Sequence, residues 1–138
     1  FQTREEEFAA LLPAPLQPET RSLLSTLPVS DWRRARLRNL AALKRRLAIP
    51  RTVVALPGTF GLPLLLPSSA AADRLKAILV ESKVFPASAW TQPKGSSDVD
   101  RDLGSRLLLL HCDHRYTSDD MQYVADVLDS AFEQTFEC

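Results

Sequence analysis

The sequence predicts an α+β fold: a small, mostly antiparallel sheet with helices packed on one face, preceded by a long helix. Three observations support this. A stretch over residues 30–47 has helical periodicity, four short β-branched or leucine-rich segments follow it, and further helical stretches separate some of those segments. Strands joined partly by tight turns and partly by helices are typical of such a layer.

Length and composition set the limits for function. The chain has 138 residues, enough for one domain with a hydrophobic core, and its 45% hydrophobic and 25% charged residues are ordinary for a globular protein. Because 17 basic residues balance 17 acidic ones, no net charge attracts nucleic acid. No apolar stretch approaches the roughly 20 residues of a membrane span. We therefore expect neither a nucleic-acid partner nor membrane association.

The two cysteines point to a reducing environment. Cys112 and Cys138 have no metal-ligand spacing and form no disulfide framework. Cys112 ends an apolar run, where a buried and unreactive thiol is expected. The first seven residues are polar and acidic, unlike a signal peptide. We expect a cytoplasmic protein.

Residues 1–29 are predicted to form a helical connector, and residues 30–138 one domain. The connector contains a short helix over Glu5–Leu12, a proline-stiffened stretch over Leu12–Glu19 and a second short helix over Glu19–Leu27.

The long helix is the clearest predicted element. Ser30 is a suitable N-cap, Asp31 lies in the first turn, and Pro50 ends the helix. Its apolar face is formed by Trp32, Leu37, Leu40, Leu43 and Leu47. Seven basic residues between Arg33 and Arg46 form the other face. No aromatic residues alternate with them, which favours a solvated face or a domain contact over a nucleic-acid site.

Strands and helices alternate in the remainder of the chain. Pro57-Gly58 marks a turn between two strands, and Pro63 within the second predicts an edge strand or a bulge. The four leucines of the last strand predict burial on both of its faces. The predicted elements are strands over Arg51–Leu56, Phe60–Leu66, Val84–Trp90 and Arg106–Cys112, a loop over Thr91–Asp100, a helix capped by Ser68 or Ser69, and a last helix begun by a Thr117–Asp120 capping box.

Polar residues concentrate after the last strand, in the segment His111–Tyr116. Nucleophilic catalysis lacks a candidate nucleophile there. His111, Asp113 and His114 have the residue types of metal ligands, but adjacent strand residues point to opposite faces and would not readily converge. A structural interpretation is favoured, in which Asp113 accepts hydrogen bonds from the turn, Arg115 pairs with it or with a helix end, and His111 is a satisfied polar residue.

Four stretches resemble the C-terminal small domain of fold-type-I pyridoxal-phosphate enzymes, and most closely the DegT-like sugar aminotransferase group. The resemblance covers about residues 30–133. The stretches are Arg38-Asn39 with the leucines after it, Phe60–Leu66 followed by a helix with Arg74 and Leu79, Val84–Ala87 with Trp90, and Leu107–Tyr116 with Asp119-Asp120-Met121.

Departures from the family pattern limit what the resemblance implies. Lys83 stands where a glycine is usual, and His111-Cys112 stands where proline usually precedes the aspartate. The family's Schiff-base lysine, the aspartate on the pyridine nitrogen and the phosphate cup belong to a large domain. No lysine of this chain lies in a matching context, so we assign it no catalytic, cofactor-binding or metal-binding residue.

The resemblance implies a domain that closes over pyridoxal phosphate in the full-length enzyme and helps to bind an amino or keto substrate of sugar-like type. It implies a large pyridoxal-phosphate-binding domain as partner and a homodimer as the full enzyme, with no cofactor bound by this chain alone. The substrate-binding candidates are Trp90, Arg106, His114 and Arg115. The alternative is a stand-alone, non-catalytic protein-binding or assembly module with the same fold.

Overall fold

The computed structural model describes residues 15–58, 60–88, 93 and 95–136. Within these residues five helices and a four-stranded antiparallel sheet form the predicted α+β arrangement. The helices are α1 (Pro18–Thr26), α2 (Val29–Arg46), α3 (Ser69–Glu81), α4 (Asp98–Arg106) and α5 (Ser118–Phe136). The strands are β1 (Val54–Ala55), β2 (Gly61–Leu65), β3 (Ala87–Ser88) and β4 (Leu107–His111).

The sheet has the strand order β1-β2-β4-β3, and every neighbouring pair is antiparallel. Its centre is the pairing of β2 with β4, which runs from Gly61 opposite His111 to Leu65 opposite Leu107. Gly61 is required here, because a Cβ atom at that position would lie 2.1 Å from the Leu110 carbonyl oxygen. The two outer strands have two residues each.

Pro63 lies in an inner strand, so the predicted edge strand or bulge is wrong. The register between β2 and β4 is continuous across it, with Leu109 opposite. The Pro63 carbonyl accepts a hydrogen bond from the Leu56 N–H at 2.9 Å, so its backbone polar groups face β1. Because proline has no N–H to donate, the ladder with β1 stops there. The predicted strand Arg51–Leu56 is correspondingly reduced to Val54–Ala55.

Helix α2 begins slightly earlier than predicted, with Pro28 rather than Ser30 at the N-cap. Leu40, Leu43 and Leu47 are buried as expected. Leu37 is exposed, contrary to its predicted place on the apolar face. Most of the first half of the helix faces solvent, and of the predicted apolar face there Trp32 is half-buried.

The region before β4 differs most from prediction. Part of the predicted loop Thr91–Asp100 and the start of the predicted last strand form helix α4. Ser97 caps α4, since its Oγ accepts from the Asp100 N–H at 3.1 Å. In β4, Leu108 and Leu110 are buried whereas Leu107 and Leu109 are half-buried, so one face is only partly covered. The predicted burial of both faces is therefore wrong. An antiparallel sheet that has helices on one side leaves its other face partly exposed.

The caps of α3 and α5 are confirmed. Ser68 Oγ accepts from the Ala71 N–H at 3.1 Å. At α5 the Thr117 Oγ1 accepts from the Asp120 N–H, and the Asp120 carboxylate accepts from the Thr117 N–H, which completes the predicted capping box. The apolar side of α5 packs into the core through Met121, Ala125, Leu128, Ala131 and Phe132.

Several predictions fall partly or wholly outside the described residues. These are the helix Glu5–Leu12, Trp90 and Cys138. The predicted strand Val84–Trp90 is represented by β3 alone. Among the residues that the structure describes, no helix has the length and apolar character needed to cross a membrane.

Candidate functional site

The substrate-binding candidates in the described residues lie at opposite ends of β4. Arg106 is the last residue of α4 and immediately precedes the strand, whereas His114 and Arg115 lie in the turn beyond it. At about 3.4 Å per residue, roughly 17 Å separates the Cα atoms of Arg106 and His111. The fold therefore does not bring Arg106 together with His114 and Arg115.

The Arg106 guanidinium is held in one position by α4 and the sheet. Its Nε and Nη2 donate to Asp102 Oδ2 at 2.9 and 2.6 Å, and its Nη1 donates to the Leu66 carbonyl at 3.2 Å. The side chain is 21% exposed. A guanidinium has five N–H groups, so two are without a partner among the described residues. Arg106 can therefore offer oriented donors to a carboxylate, phosphate or hydroxyl oxygen.

Asp113 organises the turn at the other end of β4. Its Oδ1 accepts from the Arg115 N–H at 3.0 Å and from Arg115 Nε at 2.9 Å. These contacts, the backbone one foremost, lower the pKa of the Asp113 carboxyl below its usual value. Arg36 Nη2 adds a longer contact of 3.6 Å to Oδ2. The structural interpretation of Asp113 and Arg115 is confirmed.

A buried asparagine connects this turn to the long helix. Asn39 is fully buried, and its Nδ2 donates to the carbonyls of Asp113 and Tyr116, both at 2.8 Å. Sequence reasoning gave this side chain no role. The available signal was a polar residue beside the buried Leu40 and Leu43 on a helix, because a buried amide requires hydrogen-bond partners.

The same helix face contributes two further contacts. Trp32 stacks on His114, with ring centroids 4.8 Å apart and planes at 23°. The Arg36 guanidinium lies over Phe60, 5.4 Å from the ring centroid. Positions 32, 36 and 39 are spaced by about one helical turn, which places them on one side of α2.

Asp113 and His114 are closer than predicted. His114 Nδ1 lies 3.1 Å from Asp113 Oδ1, although the two atoms are not aligned for a hydrogen bond. The expectation that they would not converge is wrong because β4 ends at His111 and both residues belong to a turn. Within the described residues no cluster of three or more metal-ligating side chains forms.

Cys112 is a buried structural residue, as predicted. It is fully buried, and burial raises the pKa of its thiol to about 11. The reactive thiolate is therefore scarce at neutral pH.

No protein-family model and no curated protein matches the chain. Among solved structures it is similar to the sugar aminotransferase CalS13 from Micromonospora echinospora, with a TM-score of 0.55 and 19% sequence identity. The likeness is one of fold. It covers 75% of this chain and 31% of the aminotransferase chain, so the chain spans about a third of that enzyme's length.

Proposed function

We propose that the chain is the C-terminal small domain of a pyridoxal-phosphate-dependent aminotransferase-like enzyme of the DegT-like group. In that enzyme it closes over the cofactor and helps to bind an amino or keto substrate of sugar-like type. The main support is the coverage of the structural match, which includes 75% of this chain but only 31% of a sugar aminotransferase. The motifs after Ser30, in their order along the chain, agree with this proposal.

Our proposal assigns none of the described lysines to the cofactor. Lys44 and Lys83 are exposed, and Lys76 Nζ donates to the Ser88 hydroxyl at 2.7 Å. In our proposal a large domain therefore holds pyridoxal phosphate, and the complete enzyme is a homodimer.

The contribution proposed for this chain is one wall of the substrate site. Arg106 would bind an anionic or hydroxyl oxygen through its two uncommitted N–H groups. Arg115, whose side chain is 75% exposed, and His114 are further candidates. Trp90 remains a prediction.

The decisive experiment compares this chain with the product of the complete open reading frame. Each is mixed with pyridoxal phosphate, and the visible absorbance of the lysine-bound cofactor is recorded. We expect the band in a full-length protein that has a lysine-bearing domain before Phe1, and no band for the 138-residue chain. A full-length protein without the band would contradict the proposal.

The alternative is a stand-alone, non-catalytic binding or assembly module. It is favoured by the apolar side chains exposed in and around α1, where no residue is buried. These are Leu16, Leu23, Leu24, Leu27 and Val29. Exposed apolar groups in this number indicate a contact surface. A start codon just upstream of Phe1 would favour this alternative.

A further inference from the structure

A cavity of about 210 Å³ opens beside the C-terminal end of β4. Its apolar floor is formed by Val84, Leu110 and Met121, all buried. A dry apolar cavity of about 150 Å³ is large enough for benzene, whereas pockets for drug-sized ligands begin near 300 Å³. The volume therefore fits a single ring with one substituent.

Aromatic side chains surround the opening of this cavity. Phe85, Tyr116 and Tyr123 border it, and all three are exposed. The Tyr123 hydroxyl donates to the Ser82 carbonyl at 2.8 Å, which fixes the position of that ring. Fixed aromatic faces around an apolar floor favour a planar apolar ligand over a flexible polar one.

The charge at the opening comes from Lys83, which has an unusual backbone. Its φ of 61° lies in the left-handed region, which disfavours residues other than glycine and asparagine. This conformation belongs to the C-terminal cap of α3, in which the Lys83 N–H donates to the Val80 carbonyl at 3.0 Å and the Val84 N–H donates to the Leu79 carbonyl at 2.8 Å. Lys83 and His111 both border the cavity and are exposed, and Lys83 carries a positive charge.

The acidic residue at the opening is engaged by a local contact at the start of α5. Asp120 also borders the cavity, but its Oδ2 accepts from both the N–H and the hydroxyl of Thr117, each at 2.7 Å. Its carboxylate is thereby held at the start of α5. Lys83 and His111 border the same cavity, so an anionic group that enters it can pair with either side chain.

We propose that this cavity binds a single-ring aromatic anion, with the ring on the apolar floor and the anionic group beside Lys83 and His111. The proposal is independent of the aminotransferase assignment, because it depends only on residues within this chain.

Titration of isotopically labelled protein with benzoate, followed by amide NMR shifts, tests the proposal. Saturable shifts are expected at Val84, Phe85, His111 and Tyr116. Benzamide, which has nearly the same shape without the charge, is expected to bind about threefold more weakly, the size typical of a solvent-exposed ion pair. Cyclohexanecarboxylate, which lacks the planar ring, is also expected to bind more weakly. Scattered or non-saturating shifts with benzoate would overturn the proposal.

Two substitutions at one position separate charge from backbone effects. Lys83→Asn removes the charge but tolerates the left-handed backbone, and is expected to weaken benzoate binding about threefold without changing benzamide binding. Lys83→Arg keeps the charge and should preserve benzoate binding. Equal benzoate affinity in the two variants would refute the role of Lys83.

A third substitution tests the aromatic part of the site. Tyr116→Ala removes an exposed ring and leaves the backbone carbonyl that Asn39 binds. It is expected to weaken benzoate and benzamide by the same factor. Unchanged binding of both ligands would place them elsewhere and overturn the proposal.

Discussion

The two ends of β4 each present an arginine, but the two arginines are held in different ways. Arg106 is held by two partners. Asp102 lies one helical turn earlier on α4, and the Leu66 carbonyl belongs to the segment that follows β2. Arg115 pairs with Asp113, two residues before it in the same turn, and most of its side chain is in solvent. At that end the tertiary connection comes from Asn39 instead.

Under the proposed function, this difference predicts which of the two arginines contacts the substrate and which stabilises the fold. An arginine already oriented by its neighbours loses little conformational freedom when it binds a further oxygen. An arginine that closes its own turn mainly stabilises that turn. We therefore expect substitutions at Arg106 to affect substrate binding and substitutions around Asp113 to affect stability.

The largest expected effect is at Arg106 in the complete enzyme. Arg106→Gln should lower kcat/KM about a hundredfold, because a charge-assisted bond to the substrate is lost. The free energy of unfolding should fall by about 1 kcal/mol, because the hydrogen bond to the Leu66 carbonyl is lost together with the pair to Asp102. Steady-state kinetics and urea unfolding measure the two quantities.

The matched control is Arg101→Gln. Arg101 lies on the same helix and pairs with Asp98, so its substitution should leave kcat/KM unchanged. Equal activity losses in the two variants would remove the distinction between the ends of β4.

The next effect concerns Asn39. Asn39→Ala deletes two hydrogen bonds and leaves two carbonyls of the turn without their donor, which should cost about 2–3 kcal/mol of unfolding free energy. Urea unfolding measures the loss. The control is Arg38→Ala, an exposed neighbour on the same helix, expected to change stability by less than about 0.5 kcal/mol. A similar loss in both variants would show that the turn is not anchored by Asn39.

A smaller effect is expected at Asp113 and depends on pH. Because the folded-state pKa of Asp113 is lowered, its stabilisation is complete above the ordinary pKa of aspartate and is lost as pH falls through the folded value. Asp113→Asn should therefore destabilise the protein by about 1 kcal/mol at neutral pH and flatten the stability profile between about pH 5 and pH 2. The free energy of unfolding of both proteins is measured across that pH range. The same dependence on pH in both proteins would contradict this expectation.

The smallest effect is expected for the stack on His114. Trp32→Leu should cost about 0.5–1 kcal/mol, the value typical of an aromatic pair beyond its buried area. Trp32→Phe, which keeps a ring, should recover part of that loss. The NMR chemical shifts of the His114 ring protons report the stack directly. If they are the same in the Trp32→Leu variant as in the unsubstituted protein, the two rings are not stacked in solution.

Features set by neighbouring residues could be predicted from the sequence. The Ser68 cap and the Thr117–Asp120 capping box each depend on residues three apart, and both form. Helix α4 was missed because it is polar and none of its residues is buried, so apolar periodicity gave no signal. Pro63 was misplaced because strand order depends on pairing between distant segments rather than on the proline itself.

The candidate site shows the same limit. The segment around Asp113 is recognisable from its residue types, but the alternation of strand faces was applied to Asp113 and His114, which both lie in the turn beyond β4. The Asn39 contacts join residues 74 and 77 positions apart, which no local pattern specifies. Likewise, residue order does not reveal that Arg106 is oriented by Leu66.

The attachment of α2 has a mechanical consequence. The helix is fixed to the body at Asn39, and again just after its end, where the Ala48 N–H donates to Asp129 at 3.1 Å. Because Leu40, Leu43 and Leu47 are also buried, the 18 residues of α2, about 27 Å at 1.5 Å per residue, are attached to the body as one rigid element. Bending would then be concentrated at Leu27-Pro28, between α1 and α2, where helical hydrogen bonding is interrupted.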